Sequence, residues 1–383
     1  ATAVSFGTGR IGFGLFLPEL RSAFGLGASE VGFITSLAFF AFLAALPVAS
    51  WITARAGQRT PVLLGALSAA VGFFLVASAE NTVFLTAGVV LAGASAGFCW
   101  TPFTEAAARI IPARDRAGVL SAVSTGATLG VTLAAGLFLL TQVSGFDWRS
   151  AWGAFAAMAV LALLLAGRHV PAGGARTASA PTVSGASSFL HPRLAGMYAA
   201  ALCFGAVNAV YLAYAALHVT EAGGLAGLPD DAASAMIFLI YGLCGLIGLT
   251  AGWLEKRVGL SAVLSGIFAA FSGSLILVAL FPQTWWGVGL SAGLHGAAVM
   301  TVSAVLSFWS LRLFPDNGSL GFTAALLAVA TGSMLGPAAA GAMVGSGTMT
   351  ATLVSSAAAP LILAIGFALQ RLRTTKPIDT AHG

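Results

Sequence analysis

Residues 168–192, RHVPAGGARTASAPTVSGASSFLHP, interrupt a chain that otherwise consists of long apolar runs. This stretch is rich in Ser, Ala, Gly and Pro and lacks apolar periodicity, which is typical of a flexible linker. Six apolar runs precede it and six follow it. The symmetry of the count predicts two six-helix bundles that are joined by this segment.

Each apolar run is long enough to cross a membrane, which takes about 20 residues for a hydrocarbon thickness of about 30 Å. The predicted spans are residues 3–22, 31–53, 61–79, 83–108, 117–142, 151–167, 194–219, 232–253, 259–280, 285–311, 319–344 and 350–370. The predicted domains are the N-terminal bundle 1–167, a cytoplasmic linker 168–192, the C-terminal bundle 193–373 and a cytoplasmic tail 374–383. We therefore expect an all-α membrane protein with twelve transmembrane helices.

The composition excludes a soluble protein. Hydrophobic residues make up 58% of the 383 residues and charged residues only 8%, whereas a soluble domain has about 25% charged residues. The sequence contains no phosphate-binding loop, no metal-ligand cluster and no nucleophile motif. These features predict a membrane protein that is not an enzyme and that needs no cofactor, metal or nucleic acid.

The positions of the basic residues predict the orientation in the membrane. With the N-terminus in the cytoplasm and the spans alternating, fourteen of the 17 Lys and Arg residues fall on cytoplasmic segments and two on outer loops. The remaining one, Arg10, lies inside the first span. Cytoplasmic loops carry an excess of Lys and Arg in membrane proteins, so both termini are expected in the cytoplasm.

Short motifs recur at corresponding places in the two halves. Arg55-Ala-Gly57 follows the second span, and Arg257-Val-Gly259 follows the eighth span, 202 positions later. Residues 125–130, TGATLG, match residues 331–336, TGSMLG, in the eleventh span. Because each pair falls on the same predicted membrane side, the halves are parallel repeats about an axis along the membrane normal.

The loop after the second span resembles the signature Gly-x-Leu-Ala-Asp-Arg-x-Gly-Arg-Arg of the major facilitator superfamily. Residues 50–59 read SWITARAGQR, with Ala54 in place of the Asp, and residues 252–259, GWLEKRVG, form a second copy. The resemblance covers the whole chain. It implies the two-bundle fold, a monomer, which is the family default, and a location in the inner membrane of a bacterial cell.

In the family this loop belongs to an ion-pair latch on the cytoplasmic side. The residues that the resemblance assigns to this gate are Arg55, Gly57, Arg59, Glu105, Arg109, Glu255, Arg257 and Gly259. Glu105 is a substitute acidic partner for Arg55 or Arg59. The alternative is an ion pair with Arg109 one turn later on the same helix.

Small residues in the fifth and eleventh spans predict close helix packing. Gly332, Gly336 and Pro337 resemble a Gly-Pro signature of family exporters, and Gly126 and Gly130 occupy the matching positions in the first half. Small residues at this spacing let helices approach closely. We therefore predict a tight seam between helices and infer no export from the motif.

Arg10 is the predicted centre of a solute site. An ionisable residue inside a span costs about 2.5–3.5 kcal/mol on insertion scales and is usually functional. The family resemblance implies that the first span lines a central cavity, where a guanidinium would bind a carboxylate or phosphate. The alternative is that Arg10 reaches the headgroups or bonds the backbone of a neighbouring helix.

Other polar residues within spans are weaker candidates. Aligning the first and seventh spans puts Asn208 at the position of Arg10, and Tyr211 follows one turn later. His295 and Glu105 are candidate proton carriers, His because it titrates near neutrality; a packing role is the alternative for His295. The remaining candidates for the cavity are Trp100, Tyr241, Thr128 and Ser333.

These residues predict a secondary transporter that moves a small organic anion by alternating access, with H⁺ as a candidate coupling ion. No span has Asp or Glu near its midpoint, which argues against a cationic solute. The alternatives are a proton-coupled exporter of hydrophobic drugs and a transporter-like receptor that binds its ligand without moving it.

Overall fold

The computed structural model describes residues 2–170, 192–228, 230–314 and 318–375. These ranges form helices joined by short turns and contain no strand, which confirms the all-α prediction. Most of the predicted linker, residues 171–191, and most of the predicted tail, residues 376–383, lie outside the described residues. The domain boundaries and the orientation of the termini therefore remain predictions.

The N-terminal half begins with a π-helical segment, Ala3–Thr8, and continues in seven α-helices. They are α1 (Gly9–Leu15), α2 (Leu17–Phe24), α3 (Ala28–Ala56), α4 (Arg59–Ala77), α5 (Thr82–Ile110), α6 (Ala113–Ser144) and α7 (Trp148–His169). These helices consist mostly of apolar residues. Some of the apolar side chains pack between the helices, and others are exposed on the outer surface of the bundle.

The C-terminal half contains eight further α-helices within the described ranges. They are α8 (Ala195–Glu221), α9 (Asp230–Gly245), α10 (Ala251–Val258), α11 (Leu260–Leu280), α12 (Trp285–Leu313), α13 (Gly318–Ser346), α14 (Met349–Ser356) and α15 (Ala358–Thr375). A 3₁₀ segment, Leu246–Thr250, joins α9 to α10, and residues Ala232–Val258 form one continuous apolar helical stretch. The two helices therefore act as one membrane span.

Eleven helical stretches in the described residues are long and apolar enough to cross a membrane, with α9 and α10 counted as one stretch and α14 and α15 as another. The predicted first span, 3–22, is not among them because it is divided into the π-helical segment, α1 and α2. Pro18 has no N–H for the carbonyl of Gly14, so the regular helix breaks at Phe16. Backbone hydrogen bonds from Phe16 N to Gly12 O and from Leu20 N to Phe16 O, each 3.0 Å, keep the segments in line. The total of twelve spans stays a prediction.

The two loop motifs that repeat in sequence also repeat in backbone conformation. Gly57 ends α3 with φ 76° and ψ 172°, and Gly259 ends α10 with φ 84° and ψ 156°. Residues with a side chain rarely adopt such positive φ values, whereas glycine does so readily. This explains why a glycine stands two positions after Arg55 and Arg257 in both copies.

Glycines bring two pairs of helices into backbone contact, one pair in each half. In the first half, a Cβ on Gly130 of α6 would overlap the carbonyl oxygen of Ala3, and a Cβ on Gly126 would overlap the hydroxyl of Thr2. Gly7 faces Gly130 from the other side of this seam. The first segment of the chain is therefore held directly against α6.

The matching seam in the second half joins α8 and α13. A Cβ on Gly332 would overlap the carbonyl oxygen of Leu202, and a Cβ on Gly336 would lie 2.6 Å from the carbonyl oxygen of Ala206. Pro337 lies inside α13, and its carbonyl accepts a hydrogen bond of 3.2 Å from Tyr214. The same pair of spans thus packs closely in each repeat.

The halves meet along two helix pairs that the repeat relates to each other. On one side α6 packs against α9, where Thr132 faces Gly242 and Thr128 faces Gly245. On the other side α3 packs against α13, and the hydroxyls of Ser50 and Thr323 are 3.3 Å apart. A cavity lies between these two contacts.

Candidate functional site

A cavity of about 50 Å³ lies between the two halves. Twelve of its sixteen lining residues are apolar, and its polar residues are one Arg, one Asn, one Tyr and one Ser. The lining residues are Phe6, Arg10, Ile11, Ala127 and Val131 from the first half, and Phe204, Asn208, Leu212, Tyr241, Val299, Met300, Ser303, Leu306, Phe322, Leu326 and Val329 from the second. Both halves thus form its wall.

Arg10 reaches from the N-terminal half to the C-terminal half. Its Nη2 donates a hydrogen bond of 3.3 Å to Oγ of Ser333 on α13, and that hydroxyl donates in turn to the carbonyl of Gly205 at 3.2 Å. The guanidinium carbon lies 5.1 Å from the ring centroid of Phe42 and 5.3 Å from that of Phe39. Arg10 therefore lies in the interior between the halves.

The positive charge of Arg10 is only weakly compensated by these neighbours. Its Nε is buried and has no hydrogen-bond partner in the described residues. One hydroxyl and two aromatic faces are the contacts recorded for this guanidinium. A buried charge normally pairs with an opposite charge or with several hydrogen-bonding groups, so an anion in the cavity would complete its surroundings.

Asn208 and Tyr241 form a polar pair on the opposite wall of the cavity. The hydroxyl of Tyr241, on α9, donates a hydrogen bond of 3.2 Å to Oδ1 of Asn208, on α8. Both side chains are almost fully buried, with 5% and 3% of their surface exposed. The hydrogen bond fixes the amide so that its carbonyl oxygen is engaged, which leaves its N–H groups to bind other acceptors.

Tyr211 and His295 lie behind this wall rather than in it. Their rings are stacked with centroids 3.8 Å apart and planes at 14°, and neither lines the cavity among the residues that the structure describes. The hydroxyl of Tyr211 donates to Ser291 Oγ at 3.0 Å, because the proton of Ser291 goes to the carbonyl of Ser274. Both rings thus belong to the core of the C-terminal half.

The protonation of His295 follows from the same cluster. Ser274 Oγ donates to the carbonyl of Phe271 at 2.8 Å, so it accepts the hydrogen bond of 2.7 Å from Nδ1 of His295. This assigns the proton of the neutral ring to Nδ1 and leaves Nε2 as an acceptor. That Nε2 is buried and has no partner within the described part of the chain.

The other predicted cavity residues fall at helix contacts. Thr128 is fully buried at the α6–α9 contact, and its hydroxyl has no partner among the described residues. Ser333 binds Arg10, as described above, but does not itself line the cavity. The side chains of Trp100, Glu105 and Arg109 lie outside the described residues.

The predicted gate arginines have aromatic neighbours at equivalent positions. The guanidinium carbon of Arg55 lies 4.2 Å from the ring centroid of Trp51, and that of Arg257 lies 5.1 Å from that of Trp253. Arg59 instead donates a hydrogen bond from Nη2 to the carbonyl of Gly167 at the end of α7. The two repeats thus share an arginine over the ring of the tryptophan four residues earlier.

Glu255 has a partner that sequence reasoning did not identify. Its carboxylate oxygens accept two hydrogen bonds from Arg312 of α12, at 2.6 and 2.9 Å. This pair lies within the C-terminal half and therefore ties α10 to α12 rather than latching one half to the other. The only signal in the sequence was a repeated motif: Arg312-Leu-Phe-Pro315 follows the tenth predicted span as Arg109-Ile-Ile-Pro112 follows the fourth.

Solved structures of transporters share this fold. A POT family transporter in complex with 5-aminolevulinic acid superimposes with a TM-score of 0.75 at 12% identity, over 98% of this chain and 96% of that one. A mutant of the nucleoside transporter NupG gives a TM-score of 0.68 at 15% identity, over 96% of this chain and 98% of that one. At these identities the likeness shows the fold alone.

Curated relatives also carry transporter names. A triacylglyceride transporter of Mycobacteroides abscessus is 25% identical over 85% of this chain and 77% of its own length. A probable sugar efflux transporter of Helicobacter pylori is 26% identical over 78% of this chain and 75% of its own length. Human monocarboxylate transporter 11 is 32% identical, but the match covers only 36% of this chain and 29% of that protein.

The sequence profile of the Major Facilitator Superfamily matches residues 1–308. That match spans most of the chain and agrees with the two-half architecture and the central cavity. The chain belongs to the Major Facilitator Superfamily, and it is a multi-pass membrane transporter of small-molecule solutes rather than an enzyme.

Proposed function

We propose that this transporter moves a small organic anion by alternating access and that Arg10 binds the anionic group. The single observation behind this proposal is the position of Arg10. It is the one charged side chain among the described residues that line the cavity, and its guanidinium contacts a hydroxyl and two aromatic rings.

The chemistry of the guanidinium favours an oxyanion. Its planar fork presents parallel N–H groups that match the two oxygens of a carboxylate or phosphate. In the low-dielectric interior such a pair is stronger than in water, provided that the remaining lone pairs are also satisfied. The N–H groups of Asn208 can do this from the opposite wall, since the hydroxyl of Tyr241 holds Oδ1 of the same amide.

Because these groups come from different halves, a bound solute would bridge them. Arg10 belongs to the first half, and Asn208 and Tyr241 belong to the second. Rocking of one bundle against the other around a central site is the mode of transport expected for two parallel repeats. In this proposal the solute replaces Ser333 as the partner of Arg10 while the halves move.

Coupling to H⁺ and a monomeric state in the inner membrane of a bacterial cell belong to the same proposal. His295 is the candidate proton carrier whose side chain the structure describes, and its buried Nε2 has no hydrogen-bond partner among the described residues. Its ring centroid lies 6.0 Å from that of Tyr241. A proton on His295 would therefore act on the cavity through the packing of Tyr241.

The proposal is tested by uptake of radiolabelled carboxylates into proteoliposomes. Replacing Arg10 with Gln should abolish uptake because the amide has no charge. Arg10→Lys should lower uptake at least tenfold because an ammonium lacks the planar fork. The matched control is Arg114→Gln, since this arginine has 85% of its side chain exposed and should transport normally. Normal uptake by a folded Arg10→Gln protein would contradict the proposal.

A proton-coupled exporter of hydrophobic compounds is the second candidate function. The apolar lining of the cavity favours it, and one relative is named an efflux transporter. Growth protection against toxic hydrophobic compounds that persists in the Arg10→Gln variant would select this candidate. Saturable carboxylate binding without flux into vesicles would instead select a receptor that does not transport.

A further inference from the structure

We infer that the solute is an amphipathic monoanion, with one carboxylate on a compact apolar body. This inference rests on the proposed function and adds to it the charge and the polarity of the solute. Two independent features of the cavity support it, namely the number of charged groups in its wall and the chemistry of the rest of that wall.

The wall offers one positive charge and therefore suits one negative charge. Arg10 is the single charged residue among the described lining residues. The ion pair between Glu255 and Arg312 has no net charge, and neither residue lines the cavity. A second carboxylate or a doubly charged phosphate would lose its water without gaining a counter-charge, which is strongly unfavourable.

The rest of the wall suits an apolar body. Aliphatic and aromatic side chains come from both halves, including Val131 on α6 and Val299 on α12. The hydroxyl proton of Ser303 goes to the carbonyl of Val299 at 2.7 Å, and that of Tyr241 goes to Asn208 at 3.2 Å. Both hydroxyl donors are thus already used, so a solute with many hydroxyl groups would find few partners.

The experiment compares solutes of matched length by isothermal titration calorimetry with the purified full-length protein at pH 7.5. Hexanoate has one carboxylate, adipate adds a second at the far end, and hexanamide removes the charge. We expect adipate and hexanamide to bind at least tenfold more weakly than hexanoate. Lengthening the chain from butyrate to hexanoate should strengthen binding about fourfold per methylene.

A variant of the wall tests whether the apolar lining is responsible. Val131→Thr keeps the shape of the side chain and adds a hydroxyl, so hexanoate should bind at least threefold more weakly while acetate changes less than twofold. Val160→Thr is the matched control, because Val160 on α7 is 46% exposed and is not one of the residues that line the cavity. It should leave the affinities for both acids unchanged.

The outcomes separate this inference from the proposed function. Adipate binding as tightly as hexanoate, or no dependence on chain length, overturns the amphipathic monoanion but leaves anion transport standing. Hexanamide binding as tightly as hexanoate, or unchanged hexanoate binding after Arg10→Gln, overturns both. A monodisperse protein that binds none of these acids also overturns both.

Discussion

The ion pair between Glu255 and Arg312 allows a sharp prediction about stability. The carboxylate accepts both guanidinium hydrogen bonds, at 2.6 and 2.9 Å. The two partners differ in exposure, because 10% of the Glu255 side chain is exposed and 56% of the Arg312 side chain. We therefore expect Arg312→Gln to destabilise the protein more than Glu255→Gln does.

The difference follows from what each substitution leaves behind. Arg312→Gln leaves a buried carboxylate without its counter-charge, which costs about 3 kcal/mol, the lower end of the range for broken buried pairs. Glu255→Gln leaves a half-exposed guanidinium that water can solvate, and the cost is about 1 kcal/mol. The double variant leaves neither charge and should resemble Glu255→Gln.

Thermal unfolding in detergent measures these differences. At about 2 °C per kcal/mol, Arg312→Gln should lower Tm by about 6 °C, and Glu255→Gln and the double variant by about 2 °C. Arg114→Gln is the control, because its pair with Asp115 is exposed and its Tm should not change. Equal losses from the two single variants, or a double variant with the sum of both, would refute the argument from burial.

Two further predictions concern the helix seam and the cavity. Gly332→Ala should destabilise the protein by about 1–3 kcal/mol, because the added Cβ would overlap the carbonyl of Leu202. The control Gly366→Ala should not lower Tm, because the space around Gly366 is open. Equal Tm values for the two variants would contradict the close packing of α8 and α13. Tyr241→Phe should raise the KM for the solute several-fold, since it removes the hydroxyl that orients the amide of Asn208, while Tyr211→Phe should lower Tm and leave KM unchanged. A raised KM in Tyr211→Phe alone would show that the wrong ring had been placed at the cavity.

Much of the fold was predictable from composition and repetition. Long apolar runs predict helices wherever they occur, and the second predicted span, 31–53, lies within α3, Ala28–Ala56. The matching turns at Gly57 and Gly259 were also visible, because both copies of the loop keep the residue that tolerates positive φ. The break at Phe16 was not predicted, because the length of an apolar run does not show that Pro18 lacks the N–H for a helix hydrogen bond.

The site was predictable only in part. Arg10 stood out because a lone guanidinium in an apolar run needs an explanation. Its partner Ser333 is 323 residues away, and such a contact depends on how two helices are rotated against each other. The rotation of the helices also places Tyr211 and His295 in the core of the C-terminal half, although Tyr211 is only one turn after Asn208. Helices in membranes are apolar on most faces, so their sequences mark the cavity side weakly.

The proposed transport requires that a carboxylate binds at Arg10 between the two halves. The most direct measurement is a crystal structure of the protein with 4-bromobenzoate, in which the anomalous signal of bromine locates the ligand. We expect the carboxylate within hydrogen-bond distance of the Arg10 guanidinium and the bromine among the apolar residues of the cavity wall. A ligand bound elsewhere, with Arg10 turned toward lipid, would contradict it.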